Sequence, residues 1–137
     1  MSKKSRLYTL MMKREKLLLR QKAHALDGLL TDQAKLAELN EKLANLLTEN
    51  EHKAGPQTVQ ALRSRAHYGR EMAEQKEFAK NRLEFLDIEI VTAQTRLAHS
   101  KQREQLLGEK AHAEHQDFIK EAEKVAEQLA PTRKVSF

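Results

Sequence analysis

Cysteine and tryptophan are absent from this chain of 137 residues, which has only two prolines, four glycines and 4% aromatic residues. Without cysteine there are no disulfides and no thiolate metal sites. Val, Ile, Thr and aromatic residues are too few to build a sheet. No apolar run approaches the roughly 20 residues that span a bilayer, and the basic start lacks the apolar core of a secretory signal. We therefore expect a cytoplasmic, all-α protein.

The composition that remains is typical of a long helix or coiled coil, since 33% of the residues are charged and Leu, Ala, Lys, Glu and Gln dominate. One break interrupts it, at Gly55-Pro56, where glycine can close a helix and proline cannot continue one. We predict a single domain, 1–137, that forms a long antiparallel two-helix coiled-coil hairpin with a longer second helix. Its parts are helix 1 at about 5–53, a turn at 54–58, helix 2 at about 59–130 and a tail at 131–137.

Heptad patterns predict which helix faces meet. In helix 1, Leu29, Leu36 and Leu43 occupy position a, followed by Asp32, Leu39 and Leu46 at d. In helix 2, position a holds Leu62, Gly69, Lys76, Leu83, Ile90 and Leu97, and position d holds Arg65, Met72, Ala79, Leu86, Ala93 and Leu107. Folding about Gly55-Pro56 pairs residues whose numbers add up to about 112, so Leu29 should lie near Leu83 and Leu18 near Ala93 or Gln94.

The unequal helix lengths predict an overhang, because helix 1 has no residues left to face 109–130. This overhang carries apolar side chains at helical spacing: Ala111, Phe118, Ile119, Ala122, Val125, Ala126 and Leu129. The start of helix 1 is likewise apolar over much of its circumference, at Leu7, Leu10, Met11, Met12, Leu17, Leu18 and Leu19. Apolar surface without an internal partner indicates a binding surface, although pairing with a second copy or fraying of the tail would also account for the overhang.

Charge is concentrated at the N-terminus. Residues 1–22 hold eight basic side chains against Glu15 alone, whereas the whole chain has a formal net charge of +5. Such a segment suits an acidic protein surface, a nucleic acid or an anionic membrane, or is simply a solvated helix end. Nucleic acid is not expected as a partner, because Tyr68, Phe78 and Phe85 are too scattered for base stacking.

Motifs for chemistry are weak. His112 and His115 share a helix face, with Glu109 or Glu114 as a third ligand, but two histidines on a charged helix are ordinary, so no metal site is predicted. Phosphate-binding loops, dinucleotide fingerprints and nucleophile elbows are absent. We therefore expect no enzyme activity, no cofactor and no small-molecule substrate.

Polar residues in the seam predict a loosely held region at 60–80, with Tyr68, Met72 and Phe78 exposed, and Gly108 predicts a hinge.

Three stretches, "LYTLMMKREKLLLRQKA" at the start, "HKAGPQTVQAL" at the turn and "EHQDFIKEAEKVAEQLA" near the end, carry a resemblance over nearly the whole chain. The layout resembles the flagellar export protein FliJ and its YscO-type counterparts in injectisomes. Members of that family are cytoplasmic antiparallel coiled coils similar to the central stalk of rotary ATPases. They insert into the hexameric export ATPase, promote its assembly and activity, and link it to the membrane export gate.

The resemblance implies partners and contact residues for this chain. The partners are the hexameric export ATPase, the export-gate membrane protein and export chaperones, with the protein cytoplasmic and peripheral at the inner-membrane export apparatus. The gate-binding residues are Tyr68 and Met72. The residues facing the ATPase ring are Leu7, Leu10, Met11, Lys13, Arg14, Leu18, Phe118, Ile119, Ala122, Val125 and Leu129.

Two alternatives of other classes remain open at this point. The first is a homodimeric structural coiled-coil adaptor, in which the overhangs of two copies pair across a two-fold axis. The second is a helical-hairpin chaperone that holds unfolded clients. Both use the same unburied apolar surface, so the sequence alone does not separate them from the stalk.

Overall fold

A computed structural model describes residues 2–51, 55 and 58–129 of the chain. It contains two long helices, α1 (Lys3–Glu51) and α2 (Val59–Leu129), and no strand within those residues. The prediction of an all-α hairpin with a longer second helix is therefore confirmed. Helix α1 begins at Lys3, two residues before the predicted start. The predicted end of helix 1 at 53, most of the turn, residue 130 and the tail at 131–137 lie outside the described residues.

Both helix starts are capped by a hydroxyl side chain. Ser2 Oγ accepts a hydrogen bond from the Ser5 backbone N–H at 3.0 Å, and Thr58 Oγ1 accepts one from the Ala61 N–H at 3.1 Å. These bonds satisfy donors that have no partner inside the helix. Between the helices, Gly55 has a φ of 130°, a conformation that side chains disfavour. The glycine thus fits the predicted break.

The packing divides into two compact units, to which both helices contribute. The terminal unit comprises residues 1–23 and 95–137, and the central unit comprises residues 24–94. In the terminal unit, Ser5 Oγ donates to the Ala111 carbonyl at 3.2 Å, and Lys22 Nζ donates to Ser100 Oγ. Residues early in α1 therefore meet residues late in α2, and the two segments run antiparallel.

The central unit is antiparallel as well. Gln33 Nε2 donates to Asp87 Oδ1. Nearer the turn, Asn50 Nδ2 donates to the Arg65 carbonyl at 3.2 Å, and Arg65 Nε donates to the Asn50 carbonyl. This reciprocal pair joins the two helices close to the point where α1 ends.

The register differs from the one that the sequence predicted. A fold about Gly55-Pro56 pairs Ser5 with Leu107, Lys22 with Ile90 and Gln33 with Ala79. The observed partners are Ala111, Ser100 and Asp87, so α2 is displaced by four, ten and eight residues at these three pairs, which is about one heptad on average. Beside the turn, Asn50 contacts Arg65, and residues 59–64 at the start of α2 are all exposed.

The predicted seam of α2 is largely correct in the central unit. Met72, Ala79, Leu86 and Ile90 are buried, as their heptad positions require. Two members of the predicted seam are wrong, since Leu62 and Lys76 are exposed. Leu62 lies in the unpaired first turns of α2. An exposed Lys76 keeps its ammonium group in water and avoids the cost of burying a charge.

The seam of α1 is half correct. Leu29, Leu36 and Leu43 face inward, but the predicted d residues Asp32, Leu39 and Leu46 are exposed. The second inner column of α1 is instead formed by the heptad position that lies three residues before each of these leucines. Its members are half-buried: Leu26, Gln33, Asn40 and Leu47. The hydrogen bond from Gln33 to Asp87 belongs to this rotation of α1. Two leucines that appeared to be core residues therefore lie on the surface.

Candidate functional site

The first turns of α1 carry the apolar residues predicted to face a ring. Leu7 and Leu10 are 57% and 63% exposed, and Met11 is also exposed. Lys13 and Arg14 are exposed, whereas Leu18 is half-buried. Most of this predicted set is thus accessible on the surface of the terminal unit.

The opposite side of the same segment holds α1 against α2. Ser5 and Glu15 are buried, and Lys16 forms an ion pair with Glu104 at 3.8 Å. Lys110 Nζ lies 5.9 Å from the centre of the Tyr8 ring, within reach of a cation–π interaction. The inner side therefore combines polar residues with the half-buried Met12, Leu18 and Leu19, whereas Leu7, Leu10, Met11 and Leu17 are exposed.

Near its C-terminus, α2 is exposed over residues 116–129 without interruption. The predicted overhang of 109–130 is wrong at its start, because Ala111 is buried and Glu114 and His115 are half-buried. The displacement of α2 supplies the reason, since Ser5 in the first turn of α1 contacts Ala111 and not Leu107. We call residues 116–129 the C-terminal extension. It contains the other five residues predicted to face a ring, all exposed: Phe118, Ile119, Ala122, Val125 and Leu129.

The two residues assigned to an export gate differ from each other. Tyr68 is 52% exposed and borders a groove of about 330 Å³ that Leu46, Glu49 and Asn50 also line. Met72 is only 4% exposed. The expectation that Met72 is an exposed contact residue is therefore wrong, because it occupies an inner heptad position and packs between the helices.

The sequence interpretation missed an apolar groove in the central unit. It has a volume of about 490 Å³ and is lined by Leu36, Leu39, Leu43, Glu74, Gln75, Phe78 and Ala79. Phe78 is 74% exposed and Leu39 is 49% exposed. The signal was present in the sequence, since Leu36, Leu39 and Leu43 give α1 two adjacent apolar columns, but only one of these faces α2.

His112 and His115, the two histidines on one face of α2, differ in their surroundings. His112 is exposed, whereas His115 is half-buried and its Nδ1 atom has no hydrogen-bond partner among the described residues. Within that part of the chain no three His, Cys, Asp or Glu side chains come together as metal ligands. Neither helix, over its described length, has a stretch apolar enough to cross a membrane.

Comparison with known protein families, with curated proteins and with solved structures gave no significant match. Functional inference therefore depends on this chain's own surfaces. These are the exposed start of α1, the C-terminal extension and the groove of the central unit.

Proposed function

We propose that this protein is a non-enzymatic stalk or coupling component of a flagellar or type III secretion export ATPase. The observation that carries the proposal is the pair of exposed apolar surfaces in the terminal unit, one at Leu7, Leu10 and Met11 and the other at Phe118, Ile119 and Val125. Large apolar side chains that a fold leaves unburied favour association with another protein. The resemblance in layout to the FliJ and YscO type proteins supplies the identity of that partner.

In this role the terminal unit enters the centre of the ATPase ring, and its apolar side chains pack against the inner surface. A ligand that binds only the assembled ring stabilises that ring by mass action, so the stalk promotes assembly without catalytic groups of its own. Lys13 and Arg14 add positive charge beside the apolar residues. The proposal therefore assigns no catalytic residue, cofactor or metal to this chain.

The link to the export gate is assigned to the central unit. Tyr68 remains a contact residue in this proposal because it is exposed. Met72 is buried, so its role is to hold α2 in place by packing between the helices. Export chaperones are further partners for the exposed apolar groove beside Phe78. The protein would then work in the cytoplasm, at the inner-membrane export apparatus.

The test is ATP hydrolysis by the export ATPase from the same organism, titrated with this protein. We expect stimulation that saturates near one copy per hexamer. Replacing both Phe118 and Ile119 with serine should abolish stimulation and leave the helix content nearly unchanged, because both residues are exposed. The matched control is serine at Leu62 and Ile88, two exposed aliphatic residues of the central unit, which should retain full stimulation. Equal activity of the two variants would remove the C-terminal extension from the mechanism.

A homodimeric adaptor is the second candidate, and one observation favours it. Ala111 and His115 on the inner side of α2 are followed at the same helical spacing by Phe118, Ala122 and Val125. The inner face of α2 thus stays apolar beyond the end of α1 and could pair with the same face of a second copy. Sedimentation equilibrium decides this, because a monomer at micromolar concentrations excludes the dimer.

A further inference from the structure

One face of the terminal unit combines apolar and basic side chains in an ordered way. On α1, Leu7, Leu10, Met11 and Leu17 are all exposed. At about 100° per residue these side chains cover an arc of roughly 120° on the side of α1 that points away from its buried column, and the exposed Lys3 and Arg14 lie within the same arc. We call this arc, with the basic residues along its edges, the basic apolar face.

Rows of basic residues border the arc on both sides. Arg6, Lys13 and Arg20 follow one edge, spaced by seven residues, and all are exposed. The other edge is supplied by α2, where Arg96, Arg103 and Lys110 repeat at the same interval and are also exposed.

The heptad positions place the α2 row beside the arc. Each of its members directly precedes an inner residue of α2, as Met11 precedes the inner residue Met12 on α1. In an antiparallel helix pair such positions lie on the same side of the seam. The contact of Lys110 with the Tyr8 ring joins this row to α1.

Acidic residues do not interrupt this face. The only acid in residues 3–23 is Glu15, which is buried between the helices. In α2, Glu104 is engaged by Lys16, and Glu109 falls on the side of the helix remote from α1. Among the described residues, Arg6, Lys13, Arg20, Arg96 and Arg103 form no ion pair. The face therefore keeps an uncompensated positive charge among and around its apolar side chains.

We propose that the basic apolar face docks on the surface of a lipid bilayer that carries anionic headgroups. Helices that lie in a bilayer interface bury apolar side chains about 5–10 Å deep. Their lysine and arginine side chains then extend to the phosphates. Because the bases follow both edges of the apolar arc, a continuous anionic surface suits the face better than carboxylates at a few fixed positions. The inference goes beyond the ATPase role, and because that role places the same face inside the ring, one copy of the protein uses this face for the bilayer or for the ring but not for both at once.

The number of basic residues on the face sets how strongly it should bind an anionic bilayer. Each lysine or arginine near an anionic bilayer strengthens binding by roughly five-fold, so removal of three should weaken it by roughly a hundredfold. Added salt should also weaken binding to the bilayer, because the Debye length falls from about 10 Å at 0.1 M to about 3 Å at 1 M ionic strength.

The experiment is flotation of the full chain with vesicles of phosphatidylglycerol mixed with phosphatidylcholine, compared with vesicles of phosphatidylcholine alone. We expect binding to the mixed vesicles only, with loss at high salt. The R6Q/K13Q/R20Q variant should bind roughly a hundredfold more weakly. The matched control, R63Q/R70Q/K80Q, changes three exposed bases of the central unit and should bind like the unmodified chain.

A second pair of variants tests the apolar contribution. L10Q/L17Q should weaken binding at low salt, whereas L62Q/I88Q in the central unit should not. Circular dichroism checks that all variants retain their helix content. Equal binding to both vesicle types, or equal loss in R6Q/K13Q/R20Q and its control, would overturn the proposal.

Partners of other classes give different results. If the protein binds purified ATPase or nucleic acid through this face but no vesicle, the lipid proposal is wrong, and the occupant is a protein or a nucleic acid. Stimulation of the ATPase without vesicle binding would leave the proposed function standing and overturn only this inference.

Discussion

Replacement of Asn40 with leucine should stabilise the protein, although asparagine looks like an ordinary surface residue in the sequence. Asn40 is half-buried on the inner side of α1, on the same face as Leu36 and Leu43. Its Oδ1 atom is inaccessible to solvent and has no hydrogen-bond partner among the described residues. The neighbouring Leu39, by contrast, is 49% exposed. The polar side chain of Asn40 thus lies in the partly buried position, and the apolar side chain of Leu39 lies in the exposed one.

The magnitudes follow from these surroundings. A buried carbonyl without a partner costs about 1–3 kcal/mol, and part of this cost is recovered when leucine replaces it. Imperfect packing of the new side chain offsets some of the gain, so we expect Asn40→Leu to raise the free energy of unfolding by about 1–2 kcal/mol. Leu39→Asn loses only the half of a leucine side chain that is covered, which is about 1 kcal/mol at most.

The assay is urea unfolding followed by circular dichroism, with the dependence on urea checked for a constant slope. Sedimentation velocity accompanies it, because a buried asparagine at an inner position can fix the number of helices that associate. If Asn40→Leu is neutral or destabilising while Leu39→Asn costs about 3 kcal/mol, then Leu39 lies inside and the rotation of α1 described above is wrong.

Three further predictions concern the same packing. Met72→Ala should lower the free energy of unfolding by about 2–4 kcal/mol and Tyr68→Ala by less than about 1 kcal/mol; equal losses in urea unfolding would contradict the burial of Met72. Among glycine to alanine changes, Gly28 should gain most, about 1 kcal/mol, because nothing lies within 4 Å of the new Cβ. Gly108→Ala should gain less, because the new Cβ would lie 3.2 Å from Met12 Sδ, and Gly69→Ala least, because its Cβ would lie 3.0 Å from Asn50 Nδ2. Any other order of melting temperatures among the three variants would contradict these contacts. Finally, Glu15→Leu should stabilise by about 1–2 kcal/mol, since Glu15 Oε1 is buried and has no hydrogen-bond partner in the part of the chain that the structure describes, and a lower urea midpoint would show that the carboxylate is satisfied.

The helices, the break at Gly55 and most of the inner positions of α2 could be predicted from the sequence. Helix-forming residues fill both helices, and the glycine adopts a conformation that few other residues tolerate. In α2 the column Met72, Ala79, Leu86 and Ala93 is apolar throughout, and the column Leu83, Ile90 and Leu97 lies beside it, so the pattern has one solution. The burial of Met72 was predictable from its heptad position, and its assignment to an exposed surface contradicted that pattern.

The face of α1 was not predictable in the same way. The column formed by Leu29, Leu36 and Leu43 can be completed by the residues three positions later or three positions earlier. Later positions offer Leu39 and Leu46, and are the more apolar choice. The earlier positions offer Gln33, whose hydrogen bond to Asp87 depends on the partner helix. Hydrophobicity within one helix gives no information about such a bond.

The register between α1 and α2 could not be predicted from the sequence for a related reason. The position of a glycine marks where a helix ends, but it does not say how many residues of the next helix pass before pairing begins. Here the bonds between Asn50 and Arg65 mark that point. The displacement is still present at Ala111, which contacts Ser5 in place of Leu107, and it shortens the C-terminal extension to 116–129.

The two exposed surfaces of the terminal unit differ in charge, and this limits how one partner could use both. The C-terminal extension holds Asp117, Glu121, Glu123 and Glu127 against two lysines, whereas the basic apolar face has no exposed acid. A surface of uniform charge that attracts one of them repels the other. A ring that receives both must therefore present both signs of charge. If its lumen has only one, the basic apolar face and the extension serve different partners, and a bilayer that occupies the first leaves the second available for the ATPase.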